Sequence, residues 1–450
     1  MKRPGRIVIV GAGPCGLGVA YRLDELRYDD FIVYERSSHV GGLASSVQDD
    51  KGFVWDYGCH VLYSRSLYFN RVMDQLLAGE WIEQPRDAQV WMLGCFVPYP
   101  LQYNVHRLPD DVRRECVQGL ASAALRTGPD APLNFREWIE NSFGEGIARH
   151  FMIPYNQKIW AHPLEKMDAA WIAERVPSPD LTRVLANLRH CKDDSAWGPN
   201  ARFRYPQVGG TGAVWRRVAE RVGSARIKLD QTVTQIDTKE RRVHFADGGE
   251  ENYDVLVSTM PIDRLVALAG IERLGSAAAA LSSSTVHIVG IGIEGKLPAE
   301  LVDRKWIYFP EPDLPFYRMT VLSNFAPSNA PAGHWSLLAE VAQSAYKPVN
   351  DATIVEDVIA GARRAGFIPT GSRVVSRFHH VAAPGYPTPT ISRDPALAVL
   401  FPALETLGIY SRGRFGAWRY EISNQDHSFL QGAELAGRLV LGETEPTLAS

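Results

Sequence analysis

Guanidinium groups beside aromatic rings are the chemistry this chain offers most often. Pro315-Phe-Tyr-Arg318, Ser411-Arg-Gly-Arg414-Phe-Gly and Trp418-Arg-Tyr420 each carry the pairing. An arginine fork meets phosphate oxygens in pairs, and a phenol can hydrogen-bond the same oxygens. Any one of the three also suits a surface salt bridge or a packed strand end; together they suit a diphosphate-bearing ligand. The usual reacting groups are missing, with no G-x-S-x-G, no H-E-x-x-H and no obvious carboxylate pair for acid–base work. The other informative spacing is Gly11-Ala-Gly13-Pro-Cys-Gly16, a G-x-G-x-x-G.

That loop has meaning only between the right elements. Arg6 to Val10 reads as a buried parallel strand, Pro14 to Leu26 has helical periodicity, and Phe31-Ile-Val-Tyr-Glu35 is a second strand ending in an acid 19 residues after Gly16. Gly11 then permits the tight turn, Gly13 lets a pyrophosphate approach the backbone, and Gly16 lets the helix sit close on the strand. The helix N-terminus favours phosphate charge, and Glu35 can accept hydrogen bonds from a ribose. Gly41-Gly42, following so soon, would bring more backbone amides to a cofactor and moves the expectation from NAD to FAD. Gly209-Gly-Thr-Gly212 opens a helix but lacks the Gly-Lys-Ser/Thr ending of a P-loop, so it is expected as a tight turn near the cofactor.

The whole chain excludes several classes. It has 450 residues, enough for two or three domains, with 45% hydrophobic and 22% charged residues and a net charge of -3. That balance gives no sign of a nucleic-acid or anionic-membrane partner. Five scattered cysteines (15, 59, 95, 116 and 191) without C-x-x-C spacing argue against a disulfide framework or a zinc site, and no metal is expected. No signal peptide or membrane-spanning run is evident, so a cytoplasmic location is expected.

Residues 66–190 read as mainly helical, with patterns at 67–78, 110–126, 134–152 and 166–190, interrupted by turn-rich segments at 95–102 and 154–163. Strands are expected at 226–237 and 241–246, and Tyr253 to Pro261 returns an apolar strand to the buried sheet. Thr285 to Ile293 is a long strand, and runs at 305–309, 316–322, 334–342 and 373–382 suggest a second, largely antiparallel sheet. The expected class is α/β: a discontinuous Rossmann-like FAD-binding domain (1–65, 205–280, 410–450), interrupted by a mainly helical domain (66–204) and an antiparallel β-sheet domain (281–409).

Many segments in order carry a resemblance: Gly41-Gly-Leu-Ala-Ser, Val97-Pro-Tyr-Pro, Pro154-Tyr-Asn-Gln-Lys-Ile-Trp-Ala, Trp197-Gly-Pro-Asn, Pro315-Phe-Tyr-Arg and Arg412 to Ser428 among them. Over almost its whole length the chain resembles flavin-dependent UDP-galactopyranose mutases of the larger fungal and protozoan type. The resemblance implies FAD active in its reduced form, whose N5 attacks the anomeric carbon of a UDP-sugar, with NADPH or NADH as candidate reductants. It matches Arg175 and Arg318 to diphosphate-binding arginines, with Tyr308, Tyr386 and Tyr420 as phenolic partners. Tyr99, Gln102, Phe151, Asn156 and Trp160 match a uridine wall, Trp306 a sugar-facing indole, and Arg414 an arginine near sugar and flavin. His60 matches a histidine beside the isoalloxazine; Cys59, Val233, Asn424, Gln425 and Ser428 match cofactor contacts. Loops around 173–180 and 196–203, the second carrying Asn200, match mobile lids. Two departures stand out: Cys59 where the family has the second glycine of Gly-Gly-His, which would strain a left-handed backbone, and Ala88 in place of a serine. The alternatives are a mutase acting on another sugar nucleotide and an FAD-dependent oxidoreductase of the amine-oxidase class. The subunit count is open.

Overall fold

A computed structural model describes residues 4–125, 132–172, 176, 178–195 and 201–449. Ile7–Val10 and Phe31–Tyr34 are four-residue apolar runs buried throughout, as strands covered on both faces must be. They pair in parallel, Ile7 opposite Phe31 and Val10 opposite Tyr34. Val255–Ser258 joins on the other side of Ile7–Val10, and Ile409–Ser411 and Ile227–Lys228 complete a five-stranded parallel sheet at its two edges. Its strands come from three separated parts of the sequence, which is the interrupted Rossmann-like arrangement expected.

One face of this sheet packs on the helices Pro14–Glu25, Gly212–Val222 and Gln425–Leu441 through Leu17, Val19, Trp215, Val218, Phe429 and Leu435. The other face packs on the three-stranded sheet of residues 233–252 and on the helices Ile262–Leu268 and Arg393–Glu405. The first and last of the long helices touch backbone to backbone. A methyl at Gly18 would lie 2.2 Å from the Phe429 carbonyl oxygen, and one at Gly432 would lie 2.1 Å from that of Cys15.

The second sheet has seven strands in the order Val374–Thr388, Ser282–Glu294, His334–Gln343, Arg318–Val321, Trp306–Tyr308, Ala88–Met92, Cys95–Pro98. All neighbours run antiparallel except Trp306–Tyr308 with Ala88–Met92. Two of these strands come from inside the stretch read as mainly helical, so that stretch is not helical throughout. The segment read as turn-rich at 95–102 begins as a strand because Leu93 and Gly94, at φ 53° and 74°, form a tight hairpin turn. A further pair, Trp81–Pro85 with Arg202–Pro206, also falls where helix or loop was expected.

The helical segment itself comprises Leu67–Leu77, Asp110–Ala124, Phe135–Ile147, Ile153–Trp160 and Leu181–His190. Ser66, Asn134 and Asp180 cap three of them through side-chain oxygens. Among the described residues, the pattern read as one helix over 166–190 yields the α-helix Leu181–His190, and Met167 bridges to Thr390. Residues Ala148–Met152 form a π-helical turn between two helices, which alters the direction of the side chains that follow. No helix among the described residues is long and apolar enough to cross a membrane.

Candidate functional site

The two sheets and the helical segment enclose a cleft of about 1300 Å³. At one end lies the glycine loop. Gly11, at φ 104°, turns so tightly that a methyl there would fall 2.1 Å from Thr259 Oγ1. A methyl at Gly16 would fall 1.8 Å from the Gly11 carbonyl oxygen, so the helix can close on the turn only with glycine there. Gly13 differs: its nearest neighbour would be 3.9 Å away, and its free side faces the cleft. Gly41 accepts strain at φ 106° and donates to the Ala12 carbonyl at 2.9 Å, bringing Gly42 into the cleft wall. Glu35 lines the cleft and also fastens the loop, accepting from Ala12 N at 2.7 Å and Ser37 N at 2.9 Å. The residue expected from sequence to meet a ribose is placed here as a loop anchor.

Two helices begin at this cleft, Pro14–Glu25 and Gln425–Leu441, and neither has a side-chain cap. Their first amides suit anionic oxygens. Asn424, Gln425, Ser428 and Val233 line the same space. Gln425 is braced on both sides, accepting from Trp215 Nε1 at 2.9 Å and donating to the Val61 carbonyl at 2.9 Å. Cys59 and His60 form the wall between this region and the aromatic end. His60 Nδ1 is buried without a protein partner, and burial, with the Arg414 cation, holds the imidazole down to about 4. The ring is therefore neutral at neutral pH. These features fit FAD: a glycine cradle closed to side chains, two uncapped helix N-termini and a buried ring nitrogen awaiting a partner.

The expected strain at Cys59 is absent. Its φ is not positive; Gly58 takes the special conformation at 140°. Burial pushes the Cys59 thiol up to about 12, and its sulfur accepts from Trp306 Nε1 at 2.7 Å. Cys59 is a packing thiol that holds the indole. Ala88 is buried, in the strand beside Trp306.

At the other end, Arg318 is gripped by Glu340, with Nη2 at 2.6 and 2.7 Å from its two oxygens and Nε at 3.1 Å. Glu340 also accepts from Tyr317 OH at 2.5 Å and Cys59 N at 3.2 Å. Burial would raise this carboxyl, yet Arg318 keeps it below its ordinary value, so both groups stay ionised. Arg414 donates to the Gly385 carbonyl at 3.0 Å and Ser423 Oγ at 2.9 Å, with its guanidinium 4.9 Å from the Tyr386 ring centre. Tyr308, Tyr386, Tyr420, Tyr99, Asn156, Trp160 and Trp306 complete the wall. Trp160 packs edge-on to Tyr420 at 4.9 Å, and its Nε1 is buried without a protein partner.

Gln102 and Phe151 do not reach the cleft. Phe151 lies in the π-helical turn, 1% exposed, and Tyr155 stacks on it at 5.3 Å and presents the surface instead. Gln102 is buried in the 3-10 turn Leu101–Tyr103, at 2% exposure. Arg175 and Asn200 lie outside the described residues. Arg86, Tyr155 and Trp171 are among the lining residues that escaped the sequence reading as ligands. Among described lining residues six arginines (36, 65, 86, 264, 318, 414) face four carboxylates (35, 263, 421, 426), a balance that favours an anionic occupant. Among the described residues no cluster of His, Cys, Asp or Glu is arranged to hold a metal.

Comparison with known proteins agrees with this architecture. The flavin containing amine oxidoreductase family matches residues 14–439. The structure superimposes on a crystal structure of reduced UDP-galactopyranose mutase with TM-score 0.97 and 42% identity, over 100% of this chain and 97% of that one. Cyclohexylamine oxidase from Brevibacterium oxydans IH-35A aligns at TM-score 0.69 and 15% identity, over 97% and 99% of the two chains, which speaks to the fold alone. A Baeyer-Villiger monooxygenase of Pseudomonas aeruginosa is 33% identical over 97 residues, 22% of this chain and 17% of that protein. This chain belongs to the flavin containing amine oxidoreductase family and, within it, to the UDP-galactopyranose mutases.

Proposed function

We propose that the protein interconverts UDP-galactopyranose and UDP-galactofuranose without net redox change. The observation that carries this reading is the end-to-end likeness to reduced UDP-galactopyranose mutase at 42% identity. When bound, reduced FAD supplies the nucleophile. The chain's own residues bind, orient and shield. Arg318, aimed by Glu340, and the phenols of Tyr308, Tyr386 and Tyr420 take the diphosphate and stabilise the charge that develops as UDP leaves. Arg175 is the proposed second fork. Tyr99, Tyr155, Asn156 and Trp160 hold the uridine, and Trp306, Arg414 and Asn200 attend the sugar. The aromatic walls exclude water, which would otherwise hydrolyse the activated sugar. NADPH or NADH is the proposed source of the single priming reduction.

The test is anaerobic incubation of the purified protein with dithionite and UDP-galactofuranose, followed by product separation. Many turnovers to UDP-galactopyranose per reducing equivalent are expected. Consumption of an electron acceptor in step with product would turn the reading towards an oxidoreductase. Arg318→Ala should lower turnover by at least about a hundredfold while the protein stays yellow; loss of the flavin from that variant would show that Arg318 has been given the wrong place.

A further inference from the structure

The cleft wall at Cys59, His60 and Val61 is held from behind by three side chains. Glu340 accepts from Cys59 N at 3.2 Å, Gln425 donates to the Val61 carbonyl at 2.9 Å, and Thr211 Oγ1 donates to the His60 carbonyl at 2.6 Å. Thr211 is the member with a choice. Its hydroxyl has one hydrogen, and 3.3 Å away on its other side lies Oδ2 of Asp56.

Asp56 is 0% exposed. Its Oδ1 accepts from Ser46 Oγ at 2.5 Å and Thr211 N at 3.1 Å, and its Oδ2 accepts from Tyr205 OH at 2.8 Å. The Gly209-Gly-Thr-Gly turn is wrapped around this carboxyl. A methyl at Gly210 would fall 2.5 Å from Asp56 Oδ1, which explains the glycine at that position. An ionised Asp56 competes with the His60 carbonyl for the Thr211 hydrogen. A protonated Asp56 donates to Thr211 Oγ1 instead and leaves that hydrogen to His60. The exchange takes one proton from solvent and rotates one hydroxyl; no covalent bond between heavy atoms changes.

We propose that Asp56 is a positioning residue that acts through Thr211, its protonation deciding how firmly the His60 carbonyl is held and hence how the cleft wall meets the flavin. Burial pushes the Asp56 carboxyl up to about 6, against the pull of Ser46, Tyr205 and Thr211. The other titratable groups around it are silent there. Burial takes Tyr205 well above its ordinary value and Cys59 up to about 12, while burial and Arg414 hold His60 down to about 4. Arg216, on the helix that follows the turn, stays cationic although burial lowers it.

The inference rests on flavin in the cleft and not on which sugar nucleotide turns over. Its test is the visible absorbance and fluorescence of the flavin in purified holoenzyme, titrated without substrate from below to above pH 6, for wild type, Asp56→Asn and Thr211→Val. Wild type should show a one-proton transition near the Asp56 value; Asp56→Asn should keep the low-pH spectrum throughout, and Thr211→Val should be flat. A wild type without the transition, or a transition that persists in either variant, overturns the proposal. Should Asp56→Asn fail to hold flavin, Thr211→Val decides alone, since it removes the hydroxyl while leaving the carboxyl. Loss of sugar-nucleotide turnover in wild type with these spectra intact would refute the proposed reaction and leave this assignment standing.

Discussion

Arg318 shows how a single side chain becomes useful by being paired. It stands on a strand among apolar neighbours, and Glu340, 2% exposed, is the lone carboxylate on the adjoining strand His334–Gln343. Glu340→Ala would leave a buried guanidinium without its counter-charge and should cost about 3–5 kcal/mol, read from urea unfolding of the holoenzyme. Asp56 makes a prediction of opposite kind. Its carboxyl rises from 3.8 to about 6 on folding, so between those values the folded chain binds more protons than the unfolded one. The contribution is fully present below the lower value and is lost as pH rises through the upper one. Relative to wild type, Asp56→Asn should therefore gain stability across that window, by up to about 3 kcal/mol at roughly 1.4 kcal/mol per unit. Denaturant titrations of both proteins at the two ends of the window check the sign; an unchanged difference would sink it.

At the scale of elements, the glycine loop separates two kinds of glycine. Gly16→Ala drives a methyl into the Gly11 carbonyl at 1.8 Å and should destabilise the fold itself. Gly13→Ala has room at 3.9 Å, so the apoprotein should melt as wild type does while flavin content falls sharply. Equal losses of stability in the two variants would contradict this assignment. The loop, the parallel strands and the uncapped helix were legible because a buried strand, a turn and a helix start each leave a local pattern. The hairpin of Ala88–Met92 and Cys95–Pro98 was not, because Leu93 occupies a left-handed position usually marked by Asn or Gly. Phe151 misses the cleft for a related reason: it stands in a π-helical turn, which displaces side chains in a way that composition does not record. Glu340 did leave a trace, a single acid within Ser336-Leu-Leu-Ala-Glu340-Val-Ala, which in a buried strand demands a partner.

Across the whole molecule, the last residues are tied to the cleft. Arg412, 0% exposed, donates to Glu445 at 2.6 and 2.9 Å and to Glu405 at 2.6 Å, and Arg438 joins the same two carboxylates. The next residue, Gly413, lines the cleft and donates from its amide to Gln431 Oε1 at 2.8 Å. Removing Glu445 leaves Arg412 with half its counter-charge. Glu445→Ala should cost about 3 kcal/mol or more, seen as a lower urea midpoint; a midpoint within error of wild type would mean that Glu405 alone suffices.

The parallel sheet that carries the glycine loop has a consequence for how the protein is made. Its first strand leaves the ribosome at residue 7, but its edge strand is residues 409–411, and the helix that meets Gly18 begins at Gln425. Pairings between segments far apart in a chain form late and slowly. A nascent chain therefore exposes an unfinished sheet edge until residues 409–441 have emerged, and its affinity for flavin should arise only after that. Stalled chains ending before residue 409 should be colourless and captured by chaperones, whatever the supply of cofactor.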